Sequence, residues 1–226
     1  MKRVITALLA ALLALSLAAC GSRVETKKLA GTWTCTIDVT DRMNAAAEQA
    51  LGLSAADGTA QMPLQLVLTV TEDGAYTLRY DSDAARTALD AYAAALRPAA
   101  VESVYAAAEE QGLSREEYDA AMEKAGITMD DMVAAIFAGV DEEELLSLLT
   151  GRSAALTGYC RAEGGQLYLA DTAADLTETA DCLSYTLSDG TMTWTDAQGE
   201  LSSQLTEQEQ ELLRVPLTWT KQEESK

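Results

Sequence analysis

Histidine is absent from this 226-residue chain, and that absence excludes more than any single residue present implies. Without imidazole there is no Ser-His-Asp or Cys-His catalytic pair, no histidine-ligated metal, and no ordinary side chain titrating near pH 6.5. Basic residues are scarce too: 16 Lys+Arg stand against 36 Asp+Glu, a formal charge of -20. A surface this acidic does not take up nucleic acid, because that binding needs Lys and Arg to displace counterions from phosphates. Aromatic residues make up 5% of the chain, with one phenylalanine and three tryptophans. The 48% apolar fraction overstates the core, since 41 residues are alanine, which buries little area. There is no Walker A, G-x-G-x-x-G, C-x-x-C or D-x-[DN]-x-[DN]-G motif. With this many carboxylates, neighbours such as Asp81/Asp83 and Asp130/Asp131 arise by composition and nominate no acid/base dyad. The expectation is a protein that is not an enzyme, with no cofactor and no metal site.

What is present starts at the N-terminus. Lys2 and Arg3 precede an apolar stretch, Val4 to Leu17, interrupted only by Thr6 and Ser16. Its 14 residues are too few to cross a hydrocarbon core of about 30 Å as a helix. It ends in Leu17-Ala18-Ala19-Cys20. That tetrapeptide resembles the lipobox of bacterial lipoprotein precursors. The resemblance implies a signal peptide over 1–19, diacylation of the Cys20 thiol, and a mature chain starting at Cys20. Two acyl chains hold a protein at a membrane where one does not. A tether over 20–28 then keeps the following domain close to the outer face of the membrane, while its acidity keeps it off anionic headgroups.

Beyond the tether, apolar and polar residues alternate, the period of a half-buried strand. Trp33, Cys35, Ile37 and Val39 share one face, with threonines and Asp38 on the other. Leu64, Leu66, Leu68 and Val70 form a second row, and Tyr76, Leu78 and Tyr80 a third. A three-residue loop at Glu72-Asp73-Gly74 pairs Val70 with Tyr76, whereas a two-residue turn would mix the faces. Gly164-Gly165 sets Cys160 against Leu169 inside and Arg161 against Tyr168 outside. Asp189-Gly190 sets Leu187 against Met192 and Tyr185 against Trp194 inside. A last strand turns Val215, Leu217 and Trp219 inward. The eight strands fall near 31–39, 63–71, 75–81, 154–162, 166–171, 182–188, 191–196 and 214–220. Such an antiparallel meander closes into a barrel or folds into a sandwich.

These strands resemble the lipocalin-like domains of bacterial surface lipoproteins. The resemblance is carried by Leu29-Ala30-Gly31-Thr32-Trp33, with the lipocalin G-x-W at Gly31 and Trp33, by Asp73-Gly74-Ala75-Tyr76, by Gly158-Tyr159, and by Leu217-Thr218-Trp219. It covers about 120 residues. It implies that Trp33 plugs the closed end of a barrel beneath a C-terminal basic residue, for which Arg214 is the candidate.

Residues 82–151 switch to a helical period and form an insert between strands three and four. Ala85, Leu89, Tyr92, Ala93 and Leu96 make one stripe, which Pro98 ends or reopens. Val101, Val104, Tyr105 and Ala108 make a second, stopped at Gly112. Ser114 and Glu117 form a capping box for a helix carrying Tyr118, Ala121 and Met122 and ending at Gly126. Thr128 caps another, with Met132, Val133, Ile136 and Phe137. Asp141 and Glu144 start a short fifth, rich in Leu145, Leu146, Leu148 and Leu149. One more helix, about 41 to 51, follows the first strand. The chain is thus mainly β with a helical insertion: a discontinuous β domain over 29–81 and 152–222, a four- to five-helix insert, and a disordered tail over 223–226.

Cys20 belongs to lipid, which leaves Cys35 and Cys160 facing inward and Cys182 outward. These are buried free thiols, or a Cys35–Cys160 bridge if those strands meet. Trp33, Tyr76, Tyr80, Tyr185, Trp194 and Trp219 converge on one interior, where they line a ligand cavity or fill it. Two functions from different classes follow. One is a lipid-anchored extracytoplasmic protein that binds a small hydrophobic ligand or an envelope component without catalysis. The other is a structural or interaction module with a filled β core and the insert as partner surface. A ligand cavity of roughly 300 Å³ or more separates them.

Overall fold

The computed structural model describes residues 25–53, 60–138, 155–177, 180–198 and 214–223. The leader over 1–19, Cys20, the fifth insert helix expected from Asp141 and residues 224–226 of the tail lie outside the described residues. Eight strands overlap the eight expected segments: β1 Gly31–Asp38, β2 Pro63–Val70, β3 Ala75–Tyr80, β4 Leu156–Glu163, β5 Gln166–Ala170, β6 Asp181–Ser188, β7 Thr191–Gln198 and β8 Leu217–Lys221. They form a closed antiparallel barrel in sequence order. β8 returns to β1, with Trp33 opposite Lys221. Closure gives every described strand a neighbour on both sides.

Parity and turn chemistry set the registers. Val70 lies opposite Tyr76 and Leu68 opposite Leu78. The three-residue loop works because Gly74 takes φ 89, and a side chain there would strike the Cys160 carbonyl. Gly158, opposite Tyr76, leaves room for its ring: a Cβ at 158 would lie 2.9 Å from the tyrosine hydroxyl. Cys160 pairs with Leu169, and Arg161 with Tyr168. Asp189 and Gly190 both adopt positive φ, as a two-residue hairpin turn requires, and pair Leu187 with Met192 and Tyr185 with Trp194. The partner of Ser184 then jumps to Asp196, so Thr195 is unopposed in a β-bulge. The Thr195 hydroxyl donates to the Ser184 carbonyl at 3.3 Å. Leu187 departs from expectation: it is 36% exposed, because it sits one pair from the turn.

A helix α1 over 25–29 precedes β1, so residues 25–28 of the expected tether over 20–28 are helical; residues 20–24 lie outside the described residues. Thr26 is buried, and its hydroxyl accepts from the Ala162 amide at 3.0 Å. Glu25 accepts from the Gly164 amide at 2.8 Å. The Trp33 indole N–H donates to the Leu29 carbonyl at 2.7 Å. Those three bonds fasten α1 to the barrel.

The other helices are α2 Thr40–Leu51, α3 Ser82–Glu110, α4 Arg115–Ala125 and α5 Met129–Phe137. The Asp81 carboxylate caps α3 by accepting from the amides of Asp83 and Ala84. Pro98 neither ends nor opens a helix; α3 runs through it. One buried row, from Ala85 through Ala88, Tyr92, Leu96, Ala100 and Val104 to Ala108, continues across Pro98, which is itself exposed. Burial of that row outweighs the missing N–H and the ring clash. The Ser114/Glu117 capping box is formed, and Thr128 and Asp131 make a second. Gly126, at φ 72, stops α4. Of the apolar α4 positions Met122 is buried and Ala121 exposed.

Among the described residues the chain divides into two compact units. One comprises residues up to Cys35, Leu66–Tyr80 and those from Ala155 onward; the other comprises Thr36–Gln65 and Asp81 to Ala138. The division runs through β1 and β2. In the helical unit Leu53, Ala100 and Val133 form a core with Ile136 and Phe137 packed against it. Arg115 ties α4 to α3 through Glu102 at 2.7 Å and Glu109 at 3.2 Å, and lies 4.6 Å from the Tyr105 ring centre. These exposed pairs fix geometry more than they stabilise.

Candidate functional site

Two places deserve comparison: the barrel interior, where the sequence gathers its aromatics, and the helical unit. Of the six aromatics expected to face inward, Trp33, Tyr76, Trp194 and Trp219 are buried, and Tyr80 and Tyr185 are half-buried. Trp194 and Trp219 sit on neighbouring strands with ring centres 4.8 Å apart. Met192 stands opposite Trp219. A void wide enough for water leaves accessible area on the side chains around it, yet Trp33, Met192, Trp219 and Ala162 are 0% exposed. These four side chains are therefore closely packed within the barrel, while Tyr80 and Tyr185 keep some exposure.

The packed interior retains polar atoms. The indole N–H groups of Trp194 and Trp219 are buried without an acceptor, each at a cost of about 1–3 kcal/mol. Cys35 and Cys160 are buried and in no disulfide, and β1 and β4 are not neighbours, so the Cys35–Cys160 bridge does not form. Burial pushes the Cys160 thiol up to about 12. Burial also raises Cys35, partly offset by a backbone hydrogen bond at Thr218. Thiols held neutral this way are poor nucleophiles. Tyr185 is raised as well, by burial first and then by Glu25 and Cys160.

At the α1 end, Lys221 Nζ lies 5.3 Å from the Trp33 ring centre. The basic residue over the Gly-x-Trp tryptophan is therefore Lys221 and not Arg214, which lies exposed before β8. The reason is pairing: Lys221 is the cross-strand partner of Trp33, whereas Arg214 precedes the cis Val215–Pro216 bond and the strand. Gly31 completes the plug, since a Cβ there would lie 2.8 Å from the Lys221 stem. On the barrel exterior Arg161 sits 4.7 Å from the Tyr168 ring centre, so that ring is occupied within the chain. Among the described residues no cluster of acidic or cysteine side chains could hold a metal ion, and no helix is long and apolar enough to cross a membrane.

The helical unit holds a pocket of about 180 Å³ lined by residues of α2, α3 and α5. Tyr92 and Leu96 of α3 and Met43 of α2 form its buried wall. Tyr92 is anchored by donating its hydroxyl to Asn44 at 2.7 Å, and burial raises its pKa. Phe137 closes one side, and Ala46, Ala47, Ala50 and Ala93 leave the space open. Sequence periodicity located these helices without revealing the pocket. The available signal was two alanine clusters, 45–47 and 93–95, on helices expected to pack. The chain matches no known family model, no curated protein and no solved structure with which it was compared.

Proposed function

We propose that this chain is a membrane-anchored, non-catalytic module of the bacterial envelope, with a lipocalin-like barrel as rigid platform and the helical insert as its recognition surface. The observation that carries this proposal is the complete burial of Trp33, Met192 and Trp219, which supports a close-packed barrel acting as a platform. Anchoring rests on the lipobox Leu17-Ala18-Ala19-Cys20. With residues 25–29 helical, at most four residues lie between Cys20 and α1, a reach of no more than about 18 Å. The module then works within a Debye length or two of the extracytoplasmic membrane face.

Metabolic labelling with radioactive palmitate in a bacterial host tests the anchor. The expected result is label on the wild-type chain and none on Cys20→Ser. Label retained by Cys20→Ser, or none on either, removes the anchor. Tryptophan emission tests the platform, because all three tryptophans belong to the barrel unit. A hydrophobic fluorophore that quenches Trp194 and Trp219 would return the ligand to the barrel.

A further inference from the structure

We infer that the pocket between α2 and α3 is a binding site for a small hydrophobic cation: an aromatic or branched aliphatic group of benzene-to-indole size carrying an ammonium head. The size follows from the volume. About 180 Å³ slightly exceeds the roughly 150 Å³ apolar cavity that stays dry and takes up benzene. The apolar character follows from the wall, where Met43, Tyr92 and Leu96 are buried and Asn44 already holds the one phenolic hydroxyl. The sign of the head follows from charge. Among the described residues Asp90 is the one charged residue in the lining, it is exposed, and the chain carries -20 overall. An anionic amphiphile would place like charge beside Asp90, whereas an ammonium gains there. This site goes beyond the anchored-module proposal and stands without it: palmitate labelling and pocket occupancy can fail separately.

The test uses the full chain, methyl-labelled at methionine and read by NMR. Met43 reports on the pocket and Met192 on the barrel interior. Toluene, phenethylammonium and benzoate are titrated in turn. Phenethylammonium should shift Met43 with a Kd of about 0.1–1 mM, as expected for so few buried atoms, and leave Met192 still. Benzoate should bind at least about tenfold more weakly. Ala46→Phe should abolish the shift. Ala50→Leu, a milder change at an exposed lining position, should weaken it even if Ala46→Phe fails to fold. An unmoved Met43 at millimolar phenethylammonium overturns the site, as do equal shifts at Met43 and Met192. Toluene shifting Met43 with benzoate binding as tightly as phenethylammonium overturns the assignment of a cation.

Discussion

Replacing Trp33 by phenylalanine isolates what the plug at the α1 end contributes. The change keeps an aromatic ring in the barrel but deletes the N–H that donates to the Leu29 carbonyl at 2.7 Å. Both residues are buried, so the carbonyl loses its partner without gaining water, at about 1–3 kcal/mol. The smaller ring leaves roughly 40 Å³ unfilled, worth about 1 kcal/mol at ~24 cal/mol per Å³. Lys221, 5.3 Å from the ring centre, also loses part of an attraction of about 0.5–1 kcal/mol. Trp33→Phe should therefore cost about 2–4 kcal/mol, a large share of the roughly 5–15 kcal/mol typical of a domain. Urea unfolding followed by tryptophan emission measures it cleanly, since Trp194 and Trp219 remain and both report on the barrel unit. Lys221→Met removes the charge but keeps a stem. It should cost below about 1 kcal/mol alone and become nearly silent once Trp33 is gone. A loss under about 0.5 kcal/mol for Trp33→Phe would refute the assignment of the plug as the keystone of that end.

Three further outcomes follow from features already placed. Pro98→Ala restores an N–H at an exposed position inside α3 and should stabilise the helical unit by about 1–3 kcal/mol in far-ultraviolet circular dichroism melts; destabilisation would show that the ring packs usefully. Cys182, half-buried, should react with a disulfide reagent at pH 8 well ahead of Cys35 and Cys160, and equal rates would contradict the barrel interior. Because the folded Cys160 pKa lies near 12, above the ordinary value of 9.0, the folded state holds a proton that the unfolded state has lost. Its contribution is fully present below pH 9.0 and lost as pH rises toward 12, by about 1.4 kcal/mol per unit. Cys160→Ala should flatten that decline in urea titrations across the range.

The strands and their hairpin registers were legible because that information is local, whereas closure into a barrel rather than a sandwich was not. Alternation along each strand assigned Leu68, Val70, Tyr76 and Cys160 to one side. Glycines at 74, 164, 165 and 190 fixed the registers, since a single residue of slip would have turned whole faces to water. The features that escaped depend on contacts far apart in sequence. Lys221 rather than Arg214 covers Trp33 because β8 pairs with β1, a register no hairpin dictates. The bulge at Thr195 lies beyond the pairs that the Asp189-Gly190 turn determines. Pro98 looked like a boundary because its cost is local, while the burial that overrides it is spread along Ala85 to Ala108. Residues 25–28 looked like tether because their hydrogen bonds go to Ala162 and Gly164, more than a hundred positions away.

The same scarcity that opens the sequence accounts for where space is left. The chain has few large side chains, and all three tryptophans lie in the barrel unit, where alternate residues of eight strands converge. The helical unit is built instead from alanine, with Ala45, Ala46, Ala47 and Ala50 on α2 and Ala91, Ala93, Ala94 and Ala95 on α3. Alanine favours the helix and costs no side-chain entropy, but a methyl group reaches little way across an inter-helical gap. Tyr92, Leu96 and Phe137 span what they can, and about 180 Å³ remains between them. The pocket is partly open to solvent, so an apolar guest gains by taking its own surface and that of the lining out of water. The composition that makes these helices easy to form thus leaves the pocket that a ligand would fill, and Ala93→Leu should raise helical-unit stability while lowering its capacity for phenethylammonium. Stability falling with capacity unchanged would show that the space is already filled.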